Sequence, residues 1–283
     1  MKACKRACSL SHWQKASPQA LFIVVTGGYA QNIERKRGVK TRTLTKKLLG
    51  KFMDKVDIAL DMWSKSLCEK ISVGELYSRN PVVHKWKAPF RALILRESIS
   101  WRMHDLLSQS KYLSDAKHLL GARILLRSSF ETLALLVYLN KLMANVVKGT
   151  LSYSEFSDKT TKIILGSKDK STNYEPVNIL TVIERADKKY QGLLKSYQEL
   201  SESVHPNYDG LSNGYSIIDH EKHETVFANR WSSIFALKHN ERISLCIETF
   251  IMEYDNVWNA VFIDLESWIE KNDEALAFQA SDA

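Results

Sequence analysis

The strongest constraint on this chain is a spacing: from Val56 onward, apolar residues recur in steps of three and four. Val56, Leu60, Trp63, Leu67 and Ile71 mark one face of a first helix, because side chains at those separations stack on one side of an α-helix. A second run, Pro89 to Ser110, carries Ala92, Leu95, Ile99, Met103 and Leu106, and its far side is also apolar through Phe90, Leu93, Ile94 and Trp101. A third, Asp115 to Val147, sets Leu119, Leu126, Phe130, Leu133 and Val137 opposite Leu120, Ile124, Leu135, Tyr138 and Leu142. A helix apolar on two sides is packed on two sides, so these runs predict two central helices.

The remaining pattern fits the same class. Gly74 is expected to stop the first helix, and Ser78-Arg79-Asn80-Pro81 to form a turn. A short helix is expected over residues 153–165, followed by a loop from Gly166 to Ser171. A fourth long helix is predicted from Pro176 to Val204 along Ile179, Ile183, Ala186, Tyr190, Leu193, Tyr197 and Leu200. It ends at His205-Pro206, since proline disfavours helical geometry in the residue before it. Tyr215–Ile218 and Thr225–Phe227 flank Asp219-His-Glu-Lys and predict a small hairpin. The last run, Ala228 to Lys271, is long for one helix, so a break is expected near His239-Asn240. Eleven Gly and five Pro leave little material for turns. The expected fold is all-α: an antiparallel bundle of four to five principal helices, with a small β-hairpin near 215–227, in one domain over residues 53–283.

The formal charge of +8 is unevenly placed. Residues 1–52 hold twelve Lys/Arg and one acid, Glu34, whereas residues 53–283 hold 28 basic and 31 acidic residues. The body is therefore slightly acidic and is not the uniformly basic surface of a nucleic-acid binder. The leader has the composition of a disordered tail, or of a mis-annotated start, with translation beginning at Met53. Its Leu21–Val25 run is shorter than the apolar region of a signal peptide, and no other window approaches a membrane span. No membrane association is expected, and a reducing cytoplasm is the expected setting. Cys68 and Cys246 sit in helical apolar patterns and read as small core residues. Cys4-x3-Cys8 lacks a second ligand pair for zinc.

Several polar residues stand where a bundle expects apolar ones. Arg127 and Glu131 lie four apart in the middle of a Leu, Ile and Tyr face. If that face is packed, both charges are desolvated and each needs a partner. Glu97 and His104 interrupt the second helix around Trp101, and facing Arg127 and Glu131 they would give a polar layer between central helices. His205 closes the fourth helix, where capping favours an imidazolium, and Tyr208 follows in the loop. Glu202-x-x-His205 is a single motif, whereas di-iron bundles need two. His220-x-x-His223 lies in a presumed loop. Phosphate-binding glycine loops, dinucleotide fingerprints, His-Glu-x-x-His and nucleophile elbows are missing from the sequence. No metal or cofactor is implied.

Two strings, Arg127-Ser-Ser-Phe130-Glu131-Thr and Tyr197-Gln-Glu-Leu200-Ser201-Glu-Ser-Val204-His205-Pro206, together resemble a family of uncharacterised bacterial helical proteins similar in layout to HEPN domains, over roughly Lys87 to Trp268. HEPN domains are small bundles common in toxin–antitoxin and phage-defence systems. Their ribonuclease members carry Arg and then His four to six residues later on one helix, a spacing this chain lacks. The resemblance therefore implies the bundle more than the nuclease. Two expectations follow. One is a non-catalytic interaction or regulatory protein with a protein partner or a second copy of itself. The other is a metal-independent ribonuclease acting on RNA through Arg127, Glu131 and His205, with His as general acid–base and Arg as phosphate clamp.

Overall fold

The structure is a computed structural model that describes residues 55–281. The expectations for the basic leader, the Leu21–Val25 run, Cys4 and Cys8, and a start at Met53 all lie outside the described residues. Helical residues 55–66 form α1, followed by α2 (Val73–Arg79), a 3-10 turn (Val83–Lys85), α3 (Lys87–Asp115), α4 (Leu119–Val147), α5 (Tyr153–Leu165), α6 (Ile179–Asp187) and α7 (Leu193–Val204). A π-helical turn (Tyr208–Asn213) leads into strands β1 (Ser216–Asp219) and β2 (Glu224–Phe227). Then α8 (Trp231–Ile251), a second π-helical segment (Met252–Val257) and α9 (Trp258–Ser281) follow, the last of the described elements. The fold is all-α with one small antiparallel hairpin, as the spacing predicts.

Helix α4 is the hub. It touches α3, α5, α6, α7, α8 and α9, and Leu126, Phe130, Leu133, Leu136, Leu139 and Met143 are buried along it. Its length and composition would suit a membrane span, contrary to the sequence reading, but 67% of that apolar window is buried by the surrounding helices. That is how a core helix satisfies its apolar surface. The link from α3 to α4 is three residues long, so the two run antiparallel. Lys117, at φ 64°, turns the chain there: His118 N–H bonds the Leu113 carbonyl and Lys117 N–H that of Ser114, a helix-ending motif usually built on glycine. The predicted start of this helix at Asp115 is thereby corrected to Leu119.

Four other boundaries differ from the sequence reading. The first helix stops at Ser66, before Leu67 and Ile71, and Gly74 lies inside α2, whose N-terminus is capped by Ser72 accepting from Gly74 N–H. Ser78 and Arg79 are therefore helical, and the turn begins after Asn80. The predicted Pro176–Val204 helix is two helices. Asn178 caps α6, and the chain breaks before Gly192, whose φ of +96° suits glycine, with Asp187 Oδ1 accepting from the Gly192 and Leu194 N–H groups. No break occurs at His239-Asn240. The His239 ring is fully buried and α8 runs through it. The length is interrupted instead at Met252–Val257, where the wider turn buries both Glu253 and Tyr254.

α5 matches its predicted bounds. Its start is a capping box: Ser152 Oγ accepts from Glu155 N–H, and Glu155 reaches back to the Ser152 N–H. The hairpin also lies where expected, with Ile217 opposite Val226 and Ile218 opposite Thr225. A small cluster of Leu119, Ala122 and Trp231, flanked by Tyr215 and Phe235, packs where α8 meets the start of α4.

Candidate functional site

The two quoted strings pack against each other. Arg127 and Glu131 on α4 form an ion pair at 3.1 Å, and α7 supplies their neighbours. Arg127 Nε donates to Ser201 Oγ at 2.8 Å, its Nη2 donates to the Tyr197 hydroxyl, and that hydroxyl donates to Glu131 Oε1 at 3.1 Å. The guanidinium also lies over the Tyr197 ring, 4.7 Å from its centre. Burial and the Glu131 carboxylate raise the Tyr197 phenol above its ordinary range. Arg127 and Glu131 keep 25% and 21% of their side-chain surface exposed, so the pair is neither fully desolvated nor a free surface pair. Every Arg127 nitrogen group has an oxygen acceptor. The seam locks α4 to α7.

The other predicted residues do not join it. His205 ends α7 in an exposed position, and its imidazole has no partner among the described residues. Tyr208 is 73% exposed in the π-helical turn. The expected polar layer between Glu97–His104 and Arg127–Glu131 is not formed. Glu97 is buried with Arg96, which donates at 2.7 Å, and with the Tyr254 hydroxyl, which donates at 2.6 Å. His104 instead meets the Leu60 carbonyl of α1 at 3.2 Å and Ser108. Glu97 and His104, seven positions apart, share a face but lie about 10 Å apart along the helix axis, so different neighbours cover them. His220 and His223 are solvated in the hairpin turn. Among the described residues no group of three or more His, Cys, Asp or Glu could hold a metal ion. Cys68 and Cys246 are both buried; Cys68 Sγ donates to the Lys70 carbonyl at 3.4 Å, and burial pushes the Cys246 thiol up.

Sequence reasoning missed two deeper clusters. In the first, Arg123, one turn before Arg127, is 1% exposed. Its Nε donates to Ser203 Oγ at 2.7 Å, its Nη2 to the Glu199 carbonyl at 3.0 Å, and its guanidinium lies 4.3 Å from the Phe235 ring centre. From α8 come Arg242, ion-paired to Glu199 together with Lys238, and His239, whose Nε2 is 3.3 Å from Ser110 Oγ. Burial, then repulsion from Arg242, lowers the Arg123 guanidinium to about 10, with Asp209 and Glu199 partly offsetting this. Burial, then Arg123 and Arg242, holds the His239 imidazole down to about 3. The spacings Arg123-x3-Arg127 and His239-x2-Arg242 were the available signals.

The second cluster surrounds the Met252–Val257 segment. Glu253 is fully buried and accepts from Asn140 Nδ2 at 2.6 Å, the Tyr190 hydroxyl at 2.6 Å and Lys189 Nζ at 2.5 Å. Beside it Arg96 stacks 3.7 Å from the Tyr254 ring centre. Asp255 is half-buried, and burial raises its carboxyl to about 6, with Arg96 lowering and Glu97 raising it. π-helical segments are often found at functional positions because they turn consecutive side chains inward.

Searches for matching protein-family models, curated proteins and solved structures found no match to this chain.

Proposed function

We propose that this chain is a non-catalytic interaction or regulatory protein that docks a protein partner through its hairpin. The observation that carries this reading is the hairpin's surface. Ile217, Ile218, Val226 and Phe227 are all exposed, Phe227 by 78%, and Tyr208 and Leu211 in the preceding turn are exposed beside them. In the pairing register Ile217 and Val226 share one face, and Ile218 and Phe227 the other, so neither face of the ribbon is covered by the bundle. A two-stranded ribbon is marginal alone; on the outer edge of β1 the Ser216 carbonyl accepts from Arg230, and the opposite edge along β2 is the open one. Grouped exposed apolar residues with open strand edges are the features that strand-pairing partners use. The partner is a second protein chain, with self-association as the homodimeric form. The resemblance of the two strings extends the proposal to a bacterial defence or mobile-element setting and a cytoplasmic location.

A second reading is the HEPN-like ribonuclease. One observation favours it: Arg127 grips Ser201, and His205 follows four residues later, exposed and without a side-chain partner among the described residues. Against it, the Arg127 guanidinium already has three oxygen acceptors, so a phosphate would have to displace them. Cellular toxicity and in vitro RNA cleavage separate the two readings when wild type, Arg127→Ala, His205→Ala and Phe227→Glu are compared. The interaction reading expects no RNA cleavage by any of them, and any cellular phenotype to be lost with Phe227→Glu. RNA cleavage abolished by both Arg127→Ala and His205→Ala would replace it with the ribonuclease.

A further inference from the structure

The hairpin has one closed edge and one open edge. The Ala228 N–H bonds the Tyr215 carbonyl, and these two residues stand opposite each other in the ladder that goes on to pair Ser216 with Phe227, Ile217 with Val226 and Ile218 with Thr225. Opposed residues of an antiparallel ladder alternate between pairs that exchange hydrogen bonds and pairs whose N–H and C=O groups point away from the partner strand. Tyr215 with Ala228 is of the first kind, so Ser216 with Phe227 and Ile218 with Thr225 are of the second. On β1 the outward Ser216 carbonyl is taken by Arg230 Nη1, in agreement with that alternation. On β2 the outward groups are the N–H and C=O of Thr225 and Phe227, and no hydrogen bond from another described element reaches them.

This edge is complementary to itself. Two copies of β2 related by a two-fold axis across the sheet run antiparallel, and each contact made by one is repeated by the other. Setting Thr225 of one copy opposite Phe227 of the second engages every outward group, with the axis at Val226. The neighbouring registers fail. A slide toward the turn would set Phe227 opposite His223, whose φ of 55° is not extended. A slide the other way would set Thr225 opposite Asn229, beyond the end of β2. In the fitted register Val226 meets Val226 of the second copy with Ile217 on either flank, so side chains now exposed form one apolar row across the sheet. Glu224 falls opposite Ala228, so no like charges are opposed. The marginal two-stranded ribbon becomes a four-stranded sheet, the size range in which a sheet holds together in water.

We propose that two copies of this chain dimerise by antiparallel pairing of β2 with β2, centred on Val226. Such pairing rests on the hairpin docking reading and commits that surface to a second copy.

Sedimentation velocity of the full chain over a concentration series is expected to show a reversible monomer–dimer equilibrium in the micromolar range, in keeping with a small interface. Thr225→Pro removes an outward N–H that the hairpin itself does not use, and proline is tolerated on an edge strand. It should weaken the dimer roughly tenfold or more, because the two copies together lose two hydrogen bonds. Thr225→Val keeps the backbone group and should not weaken it. Disulfide trapping reads the register, in full chains that also carry Cys4→Ser and Cys8→Ser. Val226→Cys is expected to form an intermolecular disulfide under mild oxidation, since facing Cα atoms in a non-hydrogen-bonded pair lie about 4.5 Å apart. Thr225→Cys would stand roughly 8–9 Å from its counterpart, beyond bridging range, and should stay reduced. The trapping needs no proline variant, so a folding defect in Thr225→Pro does not rescue the pairing. A chain that stays monomeric at the highest attainable concentration, a dimer indifferent to Thr225→Pro, or equal disulfide yields from positions 225 and 226 would each overturn it. The docking reading would survive that result if a photo-crosslinker at position 227 captured a heterologous protein, and would fall as well if it captured nothing.

Discussion

Lys189→Met is expected to cost about 3 kcal/mol of folding stability, more than Glu253→Gln, although Lys189 is the more exposed partner of the pair. The asymmetry follows from where each group would be left. The Glu253 carboxylate is fully buried, whereas 45% of the Lys189 side chain reaches solvent. Remove the carboxylate's charge and Lys189 rehydrates, while the amide still accepts from Tyr190. Remove the ammonium and the carboxylate stays in the interior with only Asn140 and Tyr190 to hold it. Two hydrogen bonds offset part of the desolvation of a charge, but not all of it. For a helical body of this size the loss corresponds to a melting temperature lower by roughly 6–12 °C. Urea unfolding of the two single variants and the double variant measures the difference. The double variant should regain most of the Lys189→Met loss, because no unpaired charge then remains. Equal costs for the two single changes would mean that the pair is solvated rather than buried.

The second large effect is in pH. His239 has a folded-state value of about 3 against an ordinary 6.5, so between those limits the unfolded chain binds the extra proton. Stability therefore falls as pH drops from 6.5 toward 3, by roughly 5 kcal/mol over the whole window. Asp255 has the opposite sign. Its folded value of about 6 against 3.8 means that the native state holds the extra proton in that range, so acidification from 6 to 3.8 stabilises it. The two slopes nearly cancel there. Wild type is expected to lose stability just below pH 6.5, to level off, and to lose it again below about 4, where protonating Glu199 also breaks its bonds to Lys238 and Arg242. Asp255→Asn removes the opposing slope. It should be about 3 kcal/mol more stable than wild type above pH 6, and fall continuously between pH 6.5 and 3. His239→Gln should instead gain stability on acidification across the same middle range. Denaturant unfolding at a series of pH values reads all three curves. A wild-type curve that declines steadily, with Asp255→Asn parallel to it, would show that Asp255 titrates as a solvated carboxyl.

Much of the fold was legible because helices advertise themselves through periodicity and caps. Ser152-x-x-Glu155 marks the start of α5, and the polar run between Ile218 and Thr225 marks the hairpin turn. What periodicity cannot show is a break that keeps phase. The apolar steps Ala186, Tyr190, Leu193, Tyr197 continue across the Gly192 turn, and Phe250, Tyr254, Val257, Val261 continue through the π-helical segment. A break near His239-Asn240 is expected only from the length of the last run, yet the ring is buried and the helix continues.

The site divides in the same way. A spacing of four pairs Arg127 with Glu131 in the sequence alone, but Tyr197 and Ser201 become their partners only through α4–α7 packing. Arg123 sits between Leu119 and Leu126 on a stripe that otherwise reads as core, and Arg242 and Glu199, some forty residues apart, meet only in three dimensions.

The account's central claim is that the outward-facing hairpin, and not the α4–α7 seam, is the working surface. A photo-crosslinking amino acid at Phe227, compared with one at Tyr112, which is similarly exposed on α3, tests that claim in cells expressing the chain. The account predicts a discrete crosslinked protein band from position 227, either a heterologous partner or a second copy, that disappears with Ile218→Lys and has no counterpart from position 112. Identical crosslinking from both positions, or a band from 227 that persists unchanged in the Ile218→Lys background, would contradict it.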